Sequence, residues 1–162
     1  MGEAPAAPVR LRLVCFELRG QELAFPIAHV RETLPIQPIT RVPLTPACLA
    51  GVFSLRGDIV PAIDLGILFG LVATEVTDDS RIIVIDVAGK TIGVLADRLR
   101  DLRTIEETLE PPPPSLTPAV ANLLAGILAS ATGTVRVLDA PSIIGAEPLR
   151  VLARGAEEER NA

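Results

Sequence analysis

Apolar residues in this chain fall in short runs rather than at helical spacing. Residues 10–18, 22–25, 49–55, 59–63, 81–87, 91–95, 125–129 and 135–138 are such runs, and Gly, Pro and Asp separate them. Turn signals at intervals of about 8 to 12 residues mark an all-β chain. Within the runs the residues are apolar nearly throughout, as in Ile82-Ile83-Val84-Ile85, rather than alternating with polar ones. Strands covered on both faces read this way, as in small barrels packed against one another. Arg19-Gly20, Arg56-Gly57-Asp58, Ala88-Gly89-Lys90 and Thr132-Gly133-Thr134 supply the connections of four hairpins. Pro61, inside the run 59–63, predicts an edge or a bulge there.

Helical signals are weaker. Pro26 sets off a predicted helical turn over 27–31, since proline suits a first helical position. Residues 64–69 form another candidate turn, stopped by Gly70. Over 142–153, Ile143, Ile144, Leu149 and Leu152 make a partly amphipathic pattern that Pro148 interrupts. The expected fold class is therefore all-β with short helices. Residues 1–9, rich in Ala and Pro, read as a flexible lead. Residues 10–154 read as the folded domain. Residues 155–162, with Glu157-Glu158-Glu159, read as a charged tail. The stretch Glu110-Pro111-Pro112-Pro113-Pro114-Ser115 is either a stiff polyproline connector between β units or a proline-rich ligand for another domain.

Composition narrows the classes. A chain of 162 residues is about one domain and buries enough surface to need no covalent staples. Hydrophobic residues make up 49% of it, yet aromatics only 2%, all Phe, so the core is aliphatic and suits pleated packing. A spanning helix needs about 20 apolar residues. The longest stretch, 119–129, is about half that and contains Asn122 and Gly126. The start lacks the basic and apolar regions of a signal peptide, and Ala6 occupies the place where a myristoylation signal carries Ser or Thr. A cytoplasmic protein without membrane insertion is expected. Cys15 and Cys48, each in apolar surroundings, fit buried reduced thiols, with a disulfide or redox pair as the alternative. A net charge of −5 disfavours nucleic acid as a partner.

Residues for catalysis do not assemble. His29 is the sole histidine, and the two cysteines lack the paired spacing of a zinc site. No phosphate-cradling glycine motif occurs. Asp86-Val87-Ala88 and Asp139-Ala140-Pro141 lack the Ser/Thr-Gly that an aspartic-protease loop needs, and Asp58, Asp64, Asp97 and Asp101 suit turns and caps. The chain is expected to be no enzyme, with no catalytic, metal or cofactor residue.

The informative constellation lies in the first half. It comprises Val30-Arg31-Glu32, then Thr40-Arg41-Val42-Pro43, Thr45-Pro46-Ala47-Cys48-Leu49-Ala50-Gly51-Val52, Ser54-Leu55-Arg56-Gly57 and Ile59-Val60-Pro61-Ala62-Ile63-Asp64-Leu65. The prolines fix an irregular segment, Gly51 permits a close approach, and Arg56-Gly57 turns one buried strand into the next. Arg56 is either simply solvated or a fork of donors for backbone carbonyls or a partner's carboxylate. These motifs resemble the core signature of the CheW family of chemotaxis coupling proteins. The likeness continues through 81–87, 90–94, Ala96-Asp97-Arg98-Leu99, Leu123-Leu124-Ala125-Gly126-Ile127 and the strand at Val135, about residues 10–152.

The resemblance implies two intertwined five-stranded SH3-like barrels with a hydrophobic seam. It also implies a non-catalytic adapter between the regulatory domain of a CheA-type histidine kinase and the cytoplasmic tip of a chemoreceptor. Carried over position by position, it places Val30, Glu32 and Arg56 on partner surfaces, with Val42 and Leu44 nearby as apolar anchors. Ser54 replaces the family's usual Asn, Gly66 stands where a basic residue often follows Asp-Leu, and Leu34-Pro35 replaces a more polar segment. A specialised relative binding one of the two partners, and a small-barrel module for another peptide or nucleic-acid ligand, are the alternatives.

Overall fold

The computed structural model describes residues 10–130, 133–146 and 148–149. The lead 1–9, Thr132 of the fourth turn and the tail 155–162 lie outside them, as do 150–154 of the expected domain. Ten strands form among the described residues: β1 Leu11–Leu18, β2 Gln21–Pro26, β3 Val30–Pro35, β4 Leu49–Leu55, β5 Asp58–Ile63, β6 Arg81–Val87, β7 Lys90–Ala96, β8 Arg98–Ile105, β9 Leu124–Ser130 and β10 Gly133–Leu138. Three short helices accompany them: α1 Leu65–Leu68, α2 Pro118–Ala121 and α3 Ala140–Ile144. All the expected hairpin strands are present. The expected helical turn is shorter, a single 3-10 turn at Ile27–His29, because the chain returns to extended geometry at Val30. The strand β8 carries no apolar run, and nothing in the sequence pattern announced it.

The strands form two five-stranded sheets, ordered β8-β1-β2-β10-β9 and β3-β6-β7-β5-β4. Each curls until its edges approach. Beyond β3, Thr40 exchanges both backbone hydrogen bonds with Val52 of β4, each 2.8 Å. Beyond β8, Glu110 does the same with Ile127 of β9, again at 2.8 Å. Close approach at these seams requires glycine. A Cβ on Gly51 would lie 2.4 Å from the Thr40 carbonyl oxygen, and one on Gly126 would lie 2.8 Å from that of Glu110.

Side chains sort into three clusters, which explains the uninterrupted apolar runs. In β6, Ile82 and Val84 point into the second sheet's interior with Phe53, Val60, Ala62 and Leu95. Their neighbours Ile83 and Ile85 point the other way, into a cluster shared by both sheets with Phe16, Leu23, Phe25, Ile63, Val94 and Leu138. The first sheet has its own interior of Leu13, Cys15, Ala24, Leu128, Val135 and Val137. Successive residues of a strand face opposite ways, so a strand between a barrel interior and a seam must be apolar at both. Phe16 and Phe25 stack in the seam, their ring centroids 5.7 Å apart.

The turns follow the chemistry that right-handed strand twist demands. Arg19-Gly20, Arg56-Gly57 and Ala88-Gly89 all have positive φ at both positions, the signature of two-residue type I′ hairpins. Pro61 departs from expectation in part. β5 is an inner strand, but its parallel pairing with β7 begins only at Ala62, so Pro61 has a ladder partner in β4 alone, opposite Val52. The bulge falls in the partner strand one step further on, at Ala50 opposite Ala62–Ile63. The helix expected over 142–153 begins two residues earlier and is short. Asp139 caps it by accepting from the Ser142 amide, and Pro141 sits in its first turn.

A repeat underlies this arrangement. Leu49-Ala50-Gly51 is matched by Leu124-Ala125-Gly126, Val60 by Val135 and Asp64 by Asp139, each 75 residues on. β5 and β10 share one burial sequence along their length, and the bulge at Ala50 recurs at Ala125. Substituting Gly51 with Ala is expected to lower stability by about 3 kcal/mol or more, because rigid backbone blocks the methyl group. Gly20→Ala, at a turn with open space, costs about 1 kcal/mol. Urea unfolding of the two variants side by side checks the difference.

Candidate functional site

The inner face of β3 carries Val30, Glu32 and Leu34, its outer face Arg31, Thr33 and Pro35. β3 is one edge of its sheet, and the turn carrying Arg56 follows β4, the opposite edge. Curling of the sheet brings the two together. Arg56 donates through Nη1 to Glu32 Oε2 at 2.5 Å and through Nη2 to Oε1 at 2.9 Å, a bidentate ion pair across the barrel's closing seam. The Glu32 side chain is 19% exposed and that of Arg56 67%, so the carboxylate sits inward and the guanidinium outward. The paired guanidinium holds the Glu32 carboxyl below the ordinary carboxylate range, chiefly through the hydrogen bonds, and Glu32 in turn raises Arg56.

Arg56 adopts φ of 49°, where glycine or asparagine is usual. The type I′ turn imposes this conformation, as it does at Arg19 and Ala88, and here it carries a guanidinium to the hairpin tip. Two of its five N–H donors are committed to Glu32, which leaves donors directed outward. Beside it lies an open hollow of about 610 Å³ lined by Arg31, Arg56, Gly57, Asp58, Ile59, Gly89 and Thr91. Ile59 is 69% exposed there. Sequence reasoning passed over Arg31 and Ile59. Counting outward from buried Val60 by strand alternation places Ile59 on the outer face.

The structure brings some of the expected residues together and not others. Glu32 and Arg56 touch directly. Val30 and Val42, both half-buried, pack against the seam cluster rather than standing free. Leu44 is separate and fully exposed, with φ of 59°, at the tip of the loop between β3 and β4. Pro43 and Pro46 flank it, and the Thr45 hydroxyl donates to the Val42 carbonyl at 2.7 Å, so the loop presents this leucine from a tied base.

Gly66 has a structural reason. Asp64 is buried and accepts from the Gly66 amide, the Thr74 amide and the Thr74 hydroxyl at 2.9, 2.7 and 2.7 Å. A Cβ on Gly66 would come within 3.1 Å of both the Asp64 carboxylate and the Val72 carbonyl. The segment 71–74 folds over Asp64 in the space a larger residue would occupy.

Elsewhere Cys15, Glu22 and Asp101 place ligand-type atoms within 4.8 Å of one another. Arg103 already supplies a cation there, 3.0 Å from Glu22 and 3.3 Å from Asp101. Burial pushes the Cys15 thiol up to about 11, beside a carboxylate pair whose charge Arg103 already balances. Both cysteines are buried and unpaired with each other.

Two solution measurements follow. The Glu32 carboxyl resonance is expected to titrate below the ordinary carboxylate range and to move up toward it in Arg56→Ala. Its folded value lies below its unfolded one, so the pair's contribution is complete above the unfolded value and fades as pH falls through the folded one. In a thiol-reagent assay at neutral pH, Cys15 is expected to react only after denaturation. Rapid labelling of the native protein at Cys15 would contradict its burial.

Comparison with known proteins completes the picture. A family described as the CheW-like domain matches residues 12–147. The chain is 35% identical over 118 residues to a probable chemotaxis protein CheW of Rhizobium etli, covering 72% of this chain and 76% of that one. It is 35% identical to the chemotaxis protein CheW of Helicobacter pylori, covering 72% and 71%. Among solved structures, the scaffolding protein TtCheW of Thermoanaerobacter tengcongensis superposes with a TM-score of 0.74 at 29% identity, covering 86% of this chain and 91% of that one. With its two curled sheets, its seam and its closing motifs accounted for, the chain belongs to the CheW-like family of chemotaxis adapter proteins.

Proposed function

We propose that this chain couples a chemoreceptor of the methyl-accepting type to the regulatory domain of a CheA-type histidine kinase, acting without catalysis in the cytoplasm at receptor assemblies. The Glu32–Arg56 pair is the observation that carries the reading. It fixes a guanidinium at a barrel edge with donors to spare, beside an exposed apolar residue and an open hollow. Such a surface suits a partner helix or strand that offers carboxylates and carbonyls around an apolar side chain. Leu44, raised on its proline-flanked loop, suits a second contact in which an apolar anchor enters a partner's pocket. Val30 and Val42 support these contacts from beneath.

Three further observations fit an adapter. The 610 Å³ hollow is an open surface feature without converging acids or a nucleophile–base pair. Among the described residues no helix is long and apolar enough to cross a membrane. The net charge of −5 disfavours the nucleic-acid alternative.

The test is co-precipitation of the purified chain with a kinase regulatory domain and, separately, with a receptor signalling-tip fragment. Wild type is expected to bind both. Arg56→Glu reverses the outward charge and is expected to weaken at least one partner about tenfold or more, with the strand content by circular dichroism unchanged and the melting temperature lowered modestly by repulsion from Glu32. Leu44→Asp is expected to weaken a partner by about tenfold as well, with the fold intact. A well-folded wild-type chain that captures neither partner ends the proposal, and capture of one alone favours the specialised relative.

A further inference from the structure

Each half of the chain builds a hairpin and a set of three strands, but the two do not share a sheet. In the first half, β1 and β2 pair with β8 and β10 of the second. In the second half, β6 and β7 pair with β3 and β5 of the first. The remaining ladders, β1 with β2, β4 with β5, β6 with β7 and β9 with β10, lie within a half. Among the described residues β3 has no ladder except with β6, and β8 none except with β1. Taken alone, each half is two isolated hairpins and an orphan strand, which is marginal at best in water. The seam cluster likewise draws on both halves. The molecule is in effect a dimer of its two similar halves, covalently joined once.

That joint is small. Residues 71–74 belong to the first half: the Leu71 amide donates to the Gly66 carbonyl at 2.7 Å, and Thr74 is clasped by Asp64. The return into β6 is made by a tight turn. The Thr77 amide donates to the Ser80 hydroxyl at 2.8 Å, the Asp79 amide to the Thr77 hydroxyl at 3.2 Å and the Ser80 amide to the Thr77 carbonyl at 3.1 Å. Between clasp and turn stand only Glu75 and Val76, both exposed.

We propose that a second copy of this chain is a partner by exchange of halves, residues 10–74 of one copy assembling with residues 80–149 of the other about a hinge at 75–79. The exchange keeps all four ladders between halves and the whole seam, and its cost falls on the hinge: the turn at Thr77–Ser80, the hydrogen bond from Arg81 to the Asp78 carbonyl at 3.0 Å and the exposed Arg98–Asp79 ion pair at 3.7 Å. Exchange of identical elements is a low-cost route to a dimer for this reason. In the monomer that turn selects the closed arrangement.

The experiment refolds the full chain from denaturant at low and high concentration and measures mass by light scattering. A closed dimer is expected to appear at high concentration and to persist on dilution. Thr77→Val combined with Ser80→Ala removes two side-chain hydrogen bonds of the turn and is expected to raise the dimer association constant on the order of tenfold. A second variant carries a protease site inserted between Glu75 and Val76, which leaves the buried Ser80 untouched. Complete cutting of its dimer is expected to yield particles of monomer mass, each holding one N-terminal and one C-terminal fragment, because a swapped dimer is joined only through its hinges. A dimer that keeps its mass after cutting is docked by its surface and overturns the proposal. So does the absence of any dimer in wild type and both variants. Cutting the monomer gives an independent reading: the fragments are expected to stay together in native buffer and, once separated in urea, to regain strand signal by circular dichroism only when mixed. A fragment that refolds by itself also overturns the proposal.

Discussion

The seam between the two sheets is the constraint on which the rest of the molecule depends. Phe16, Phe25, Ile63, Ile83, Ile85, Val94 and Leu138 come from both sheets and meet in one buried cluster. The inner strands are therefore apolar on both faces, one toward a barrel interior and one toward the seam. Burying a large aliphatic or aromatic side chain stabilises by roughly 1.5–3 kcal/mol. The seam is thus the largest single source of cohesion between the barrels, and it holds their outer edges in fixed relation. A rigid exterior of this kind suits an adapter, whose partners meet a preformed surface.

The same closure that makes each barrel creates the site. Glu32 and Arg56 sit on opposite edges of a sheet, and only the curl that joins Thr40 to Val52 places them in contact. An exposed ion pair contributes little to folding. The two hydrogen bonds to Glu32 orient the guanidinium more than they stabilise the fold.

The repeat gives the departures from the family pattern a physical setting. Asp64 and Asp139 are related by the repeat and cap equivalent helices, and Asp64 is in addition buried under the loop that follows its helix. Gly66 is the small residue that this loop requires. Its presence where the family resemblance leads one to expect a basic residue fits the local packing around Asp64. Nothing in the structure explains the replacement at Ser54.

Much of this was legible from the chain alone. Hairpins follow from dipeptides such as Arg19-Gly20 and Ala88-Gly89 between apolar runs, because two-residue turns with positive φ are a local property. Double-faced burial follows from runs such as 82–85, because side chains alternate along any strand. β8 was hidden, since Arg98, Arg100, Asp101 and Arg103 decorate an edge whose outer face meets water. The repeat was present in Leu49-Ala50-Gly51 and Leu124-Ala125-Gly126 but is short and heavily substituted between its fixed points. Tertiary structure alone decided which hairpin joins which sheet, that Glu32 meets Arg56, and that Val42 is packed while Leu44 stands free. Those outcomes depend on contacts between residues far apart in the chain. Local pattern can state which side chains must be buried, but the partners they are buried against are chosen only when the sheets close.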